Sequence, residues 1–160
     1  MFLPENWMVG LLASALLTIG SLLTKKIDLW GALAGGCITF AMFLGSGWLG
    51  IVTLTAFFTL GTMVSQWKKK EKKSLDLAQE NEGRRTIVNA VANGGVAGLA
   101  GLWAWIFIED QLFFEVVMMA SIASACSDTF SSELGNVYGK RYISILTFQS
   151  DKRGLDGVIS

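Results

Sequence analysis

The stretch Ser124-Ala-Cys-Ser-Asp-Thr-Phe-Ser-Ser-Glu-Leu-Gly135 concentrates polar chemistry in an otherwise apolar sequence. It holds two carboxylates, Asp128 and Glu133, and the hydroxyls of Ser127, Thr129, Ser131 and Ser132. The chain has no histidine, and its only thiols are Cys37 and Cys126. Oxygen donors without imidazole or thiolate suit a hard cation such as Mg²⁺, commonly shared with substrate phosphates, and zinc chemistry is excluded. Both cysteines lie in apolar stretches and read as small buried hydrophobes rather than disulfide partners. A second set of groups complements the acids. Arg84 and Arg85 precede a long uncharged stretch, Asn89 and Asn93 follow, and Lys140 and Arg141 come shortly after the acidic block. Guanidinium and ammonium groups bind anionic oxygens. Spaced i, i+4, the two amides share one helical face; from this alone, interhelical hydrogen bonding and ligand contact are equally open. Phosphoryl transfer needs little beyond such positioning and charge neutralisation. No Walker A sequence is present and no G-x-G-x-x-G opens a helix after a strand, so a soluble nucleotide-binding fold is not the route.

The elements that must position these groups are membrane helices. Apolar residues make up 52% of the 160 and charged residues 16%, with a mean hydropathy of +0.49. Leu29–Trp67 holds no charge over 39 residues and Thr86–Ile108 holds none, the signature of segments that cross a bilayer in about 20 residues each. The expected architecture is an all-α polytopic bundle forming one transmembrane domain over 1–160. Its five spans lie near 3–24, 29–45, 48–67, 86–108 and 112–132, with a tight turn at Gly45-Ser46-Gly47. The first apolar segment has its lysines, Lys25 and Lys26, behind it and no basic residue before it, so it reads as a span and not a cleaved signal peptide. No Arg- and Ser-rich transit peptide is seen, which favours a prokaryotic plasma membrane. Gly31/Gly35 and Gly94/Gly98 are small-xxx-small pairs and predict close helix packing.

Charge placement sets an orientation. With loops alternating sides, Lys25–Lys26, the 68–85 segment and the residues after 134 share one side and account for all 13 basic residues. The other side receives Glu5, Glu109 and Asp110. The positive-inside rule puts the basic side in the cytoplasm and the N-terminus outside. The lysines of 68–85 read as a solvated loop that fixes this topology. The fifth span runs toward the basic side. Asp128 therefore falls at the cytoplasmic rim, and if the helix continues, Asp128/Ser132 and Thr129/Glu133 are i, i+4 pairs. Polar groups gathered at one rim favour chemistry at a surface over a transport pathway through the bilayer.

Three motifs, in order, carry a resemblance: Gly83-Arg-Arg-Thr-Ile-Val-Asn-Ala-Val-Ala-Asn-Gly-Gly95, Ser127-Asp-Thr-Phe-Ser-Ser-Glu-Leu-Gly135 and Arg153-Gly-Leu-Asp-Gly-Val-Ile-Ser160. They resemble an integral membrane family that includes transmembrane protein 19 and the plant phytyl-phosphate kinase of tocopherol synthesis. That family is distantly similar to dolichol kinases and phosphatidate cytidylyltransferases. The resemblance implies phosphoryl transfer from CTP to an isoprenoid monophosphate, with Mg²⁺. Asp128, Ser131, Ser132 and Glu133 match the acidic motif, with Asp128 and Glu133 as metal ligands; Arg84, Asn89 and Asn93 match the basic-amide motif. Arg85, Lys140, Arg141 and Asp156 complete the expected phosphate- and nucleotide-binding set. Expected partners are CTP, a prenyl monophosphate and membrane lipids, with no nucleic-acid polymer; a homo-oligomer is left open. A cytidylyltransferase is the nearest alternative activity, and a transporter or non-catalytic assembly subunit the alternative of another class. Family members continue through a Gly-Thr pair and a further span, so the chain is expected to be C-terminally truncated.

Overall fold

The computed structural model describes residues 6–69, 85–153 and 157–159. Backbone amides in hydrocarbon must be satisfied within their own segment, which a helix achieves, and the uncharged stretches fold accordingly. The helices are α1 (Trp7–Leu23), α2 (Leu29–Ser46), α3 (Trp48–Gln66), α4 (Ile87–Ile106) and α5 (Gln111–Tyr138). By length and apolarity α2, α3, α4 and α5 can each cross a membrane, and α1 is apolar but shorter, at 17 residues. The protein is an all-α polytopic membrane bundle. With 28 residues, α5 is about 42 Å long and outreaches a hydrocarbon core of about 30 Å. Asp128, 17 residues past Gln111, lies about 26 Å along it.

The connections are short and chemically specified. Asp28 caps α2, its Oδ1 accepting the Gly31 N–H at 2.7 Å. The expected three-residue turn between α2 and α3 contracts to Gly47 alone, at φ 59° and ψ −137°, a region that only glycine enters at low cost; Gly45 and Ser46 remain helical. At the same end, Gln111 donates to the Gly45 carbonyl at 2.8 Å, tying α5 to the last turn of α2.

Lipid is as apolar as leucine, so close packing rather than water exclusion holds such helices together. The closest approach is α2 on α4. A Cβ at Gly101 would stand 2.6 Å from Met42 Cα, and one at Gly45 would collide with the Gly101 carbonyl. Gly94 and Gly98 receive Ile38 of α2, as their spacing predicts. Ala97, Ala100, Met42 and Met118 are fully buried with Phe57 and Ile122. Gly35 departs from the packing expectation: a Cβ there would meet nothing within 4 Å. Cys37 is exposed and Cys126 half-buried, both as free thiols; neither is fully buried as expected. Helix α5 packs on α4 and α3, and α1 on α2, whereas α1 and α3 scarcely touch.

After α5 the chain forms a feature absent from the sequence reading, a two-strand antiparallel ribbon of β1 (Ile143–Ser144) and β2 (Val158–Ile159). Tyr142 fastens it to the helix end, its hydroxyl donating to the carbonyls of Gly139 at 2.9 Å and Gly135 at 3.1 Å.

Candidate functional site

The basic end of the bundle collects the C-termini of α1, α3 and α5 and the N-termini of α2 and α4. There Arg85 is fixed before its side chain is considered. Its N–H donates to the Lys26 carbonyl at 2.9 Å, and its own carbonyl accepts the Asp28 N–H at 3.0 Å. The guanidinium then lies over the rings of Phe57 and Phe58, 5.5 Å from each centroid, a cation–π arrangement. Gly61, one turn on, has no side chain to obstruct it; a Cβ there would collide with Nη2. Burial lowers the Arg85 pKa from the ordinary arginine value, and the negative charge of Glu133 raises it part of the way back. Glu133 is itself buried, at 9% exposure, so α5 delivers one carboxylate inward toward this arginine.

Asn89 and Asn93 both border a cavity of about 300 Å³ that also meets Arg85. The two amides differ in duty. Asn89 closes the N-terminus of α4: its Oδ1 accepts the Thr86 N–H at 2.9 Å and the Thr86 hydroxyl at 3.1 Å. Asn89 is exposed. Asn93 is half-buried and belongs to two concavities. On one side is the Arg85 cavity; on the other, a more open groove of about 490 Å³ between α4 and α5 that carries Ser121, Ser124 and Asp128.

The acidic block is helical throughout, and this divides it. At about 100° per residue, Asp128 and Glu133 are roughly 140° apart around α5. Asp128 is exposed on the groove and Glu133 is buried on the opposite flank. The intervening hydroxyls serve the helix: Thr129 donates to the Ala125 carbonyl at 2.9 Å and Ser132 to the Asp128 carbonyl at 2.7 Å. Ser131 is exposed. Among the described residues no three of the Cys, Asp and Glu side chains gather closely enough to hold a metal on their own. The groove supplies one carboxylate, two serine hydroxyls and an amide oxygen. That all-oxygen set fits a Mg²⁺ held by one carboxylate, water and substrate phosphate.

Lys140 and Arg141 are exposed beyond α5 and border neither concavity. Arg84 and Asp156 lie outside the described residues. The sequence reading missed Phe57, Phe58, Gly61, Ser121 and Ser124. The pattern Phe57-Phe58-x-x-Gly61 was readable as a flat platform beside a gap, but nothing in sequence said that Arg85 fills it.

These features define a polytopic membrane protein with a phosphate-compatible polar site at one end. The chain belongs to the family described as integral membrane protein DUF92, whose model matches residues 12–160. It is 30% identical to an uncharacterized membrane protein of Synechocystis, over 94% of this chain and 59% of that one. With an uncharacterized membrane protein of Methanocaldococcus jannaschii the identity is 32%, over 88% of this chain and 58% of the other. With the chloroplastic protein VTE6 of Arabidopsis thaliana it is 27%, over 98% and 46%. The chain thus spans about half to three-fifths of the length of these relatives. No solved structure matches it significantly.

Proposed function

We propose that the protein is a membrane prenyl-phosphate kinase that moves the terminal phosphoryl group of a nucleoside triphosphate, CTP in this reading, to an isoprenoid monophosphate. One observation carries the proposal: Asn93 borders both the cavity that contains Arg85 and the groove that contains Asp128. An acceptor phosphate on one side and a donor triphosphate on the other would meet at its amide. The likeness to the plant protein VTE6, together with the resemblance to phytyl-phosphate kinase, supports the choice of substrates. An oxygen of the prenyl monophosphate attacks the terminal phosphorus, the bond to the bridging oxygen breaks, and the nucleoside diphosphate departs; nothing is oxidised or reduced. Arg85 neutralises and holds phosphate oxygens, Asn93 donates to them, and Glu133 positions Arg85. Asp128, with Ser121 and Ser124, would hold Mg²⁺, which supplies charge neutralisation at the transferring group. Lys140, Arg141 and Ser131, exposed at the same end of the bundle, are the groups proposed to meet the nucleotide outside the groove. The basic end is cytoplasmic in this reading, where nucleotides are, and the relatives in a cyanobacterium and an archaeon favour a prokaryotic membrane.

The test incubates membranes holding the full-length protein with CTP labelled at its terminal phosphate and phytyl, farnesyl or geranylgeranyl phosphate. Label in a prenyl diphosphate is the expected result. Release of pyrophosphate with a CDP-lipid would replace the kinase by a cytidylyltransferase, and no transfer with any nucleotide would end the enzymatic reading.

A further inference from the structure

The cavity beside Arg85 has an unusual division of polarity. It occupies the basic-end half of the bundle, between the last turns of α1, the first turns of α2 and α4, and the middle of α3. Six wall residues are threonines or serines, and four of them commit their protons to their own helices. Thr18 donates to the Ser14 carbonyl at 2.8 Å, Ser21 to Thr18 at 2.8 Å, Thr24 to Ser21 at 2.7 Å and Thr39 to Gly35 at 2.7 Å. Hydroxyls bonded in this way present mainly their carbon atoms to the cavity. Among the described residues the wall's one charged group, Arg85, lies at one end with Asn89 and Asn93. The opposite arrangement, polar groups along the whole length, would suit a sugar or a nucleotide. Moreover, α1 and α3 both flank α2 and both line the cavity, yet they scarcely touch each other.

We infer that this cavity seats the head-proximal part of a phosphate-headed lipid chain, admitted sideways between α1 and α3, with its phosphate against Arg85. The choice of an isoprenoid chain rests on the kinase reading above; the place of the chain rests on the cavity's own polarity and opening. About 300 Å³ is at the lower end of the roughly 300–1,000 Å³ of small-molecule sites. It holds a few isoprene units, and the rest of a long chain extends between α1 and α3 into lipid. The nucleotide is then left to the Asp128 groove on the far side of Asn93.

Gly35 gives a direct test, because it lines the cavity and a Cβ there meets no protein atom within 4 Å. The full-length protein is placed in phosphatidylcholine nanodiscs and probed with geranylgeranyl phosphate carrying a diazirine in its first isoprene unit. In the wild type the photolabel is expected on cavity residues of α1, α2 or α3. Gly35→Leu is expected to weaken binding at least tenfold, whereas Leu12→Phe, on the exposed part of α1 outside the cavity, binds within twofold of wild type. Label confined to other surfaces overturns the inference, and this arm needs no variant to fold. So does wild-type affinity and turnover in Gly35→Leu, a result that leaves the kinase reading intact. Cross-linking of Gly20→Cys to another protein segment, with no lipid label, shows the cavity to be filled by protein and also overturns it. Binding in the cavity without diphosphate formation from any nucleotide sinks the kinase and leaves the lipid seat standing.

Discussion

The two ends of the bundle solve opposite problems. At the end opposite the basic residues, backbone meets backbone: Gly45 faces the Gly101 carbonyl, Gly101 faces Met42 Cα, and Gln111 bonds across to Gly45. At the basic end, α1 and α3 part, Gly35 looks into space, and a guanidinium occupies the notch that Gly61 leaves. Glycine serves both ends, closing helices together at one and leaving room at the other. Helix–helix affinity in lipid depends on close van der Waals contact, and α2 keeps such contact at the basic end as well, where a Cβ on Gly31 would stand 2.9 Å from the Thr86 backbone.

Variants at the two ends should therefore fail in different ways. Asp128→Asn should lower Mg²⁺-dependent turnover by roughly 10³-fold, the scale of losing one electrostatic partner of a transferring group, while membrane insertion is unchanged. Full activity in that variant would remove Asp128 from the site. Gly101→Val forces a branched side chain into the α2 backbone and should destabilise the bundle by about 3 kcal/mol, read as an earlier unfolding transition in detergent micelles. An unaltered transition would mean that the packed end is not the anchor. Arg85→Lys keeps the charge and loses the flat stack on Phe57 and Phe58; a KM for the lipid phosphate raised roughly tenfold at near-normal stability is expected. An unchanged KM would reduce Arg85 to a structural tie. Lys69→Ala, exposed beyond α3, should move stability by less than about 0.5 kcal/mol and turnover by less than twofold. A larger loss would extend the site into the segment that follows α3.

Much of the architecture was legible because the physics is one-dimensional. A charge-free run of the right length has few alternatives in lipid, and Leu29–Trp67 or Thr86–Ile108 announce themselves. The end of α5 was harder: Ser132 and Thr129 resemble a polar exit, but each returns its proton to the preceding turn and lets the helix proceed. The divergence of Asp128 and Glu133 was available from their five-residue spacing alone. What sequence could not disclose was tertiary. Phe57 and Phe58 gain meaning only when the Lys26–Asp28 segment brings Arg85 over them, and Gly35 is indistinguishable from a packing glycine until its neighbour proves to be absent.

The hydroxyls that bond back into α1 and α2 have a kinetic corollary. Where these two helices line the cavity, hydroxyls whose protons are spoken for offer a passing chain no directional grip, so a hydrocarbon tail can glide along them with little friction. Selection among chains then falls to the depth of the recess and the shape of its mouth, and a lipid can be drawn in and let go without breaking a hydrogen bond to α1 or α2.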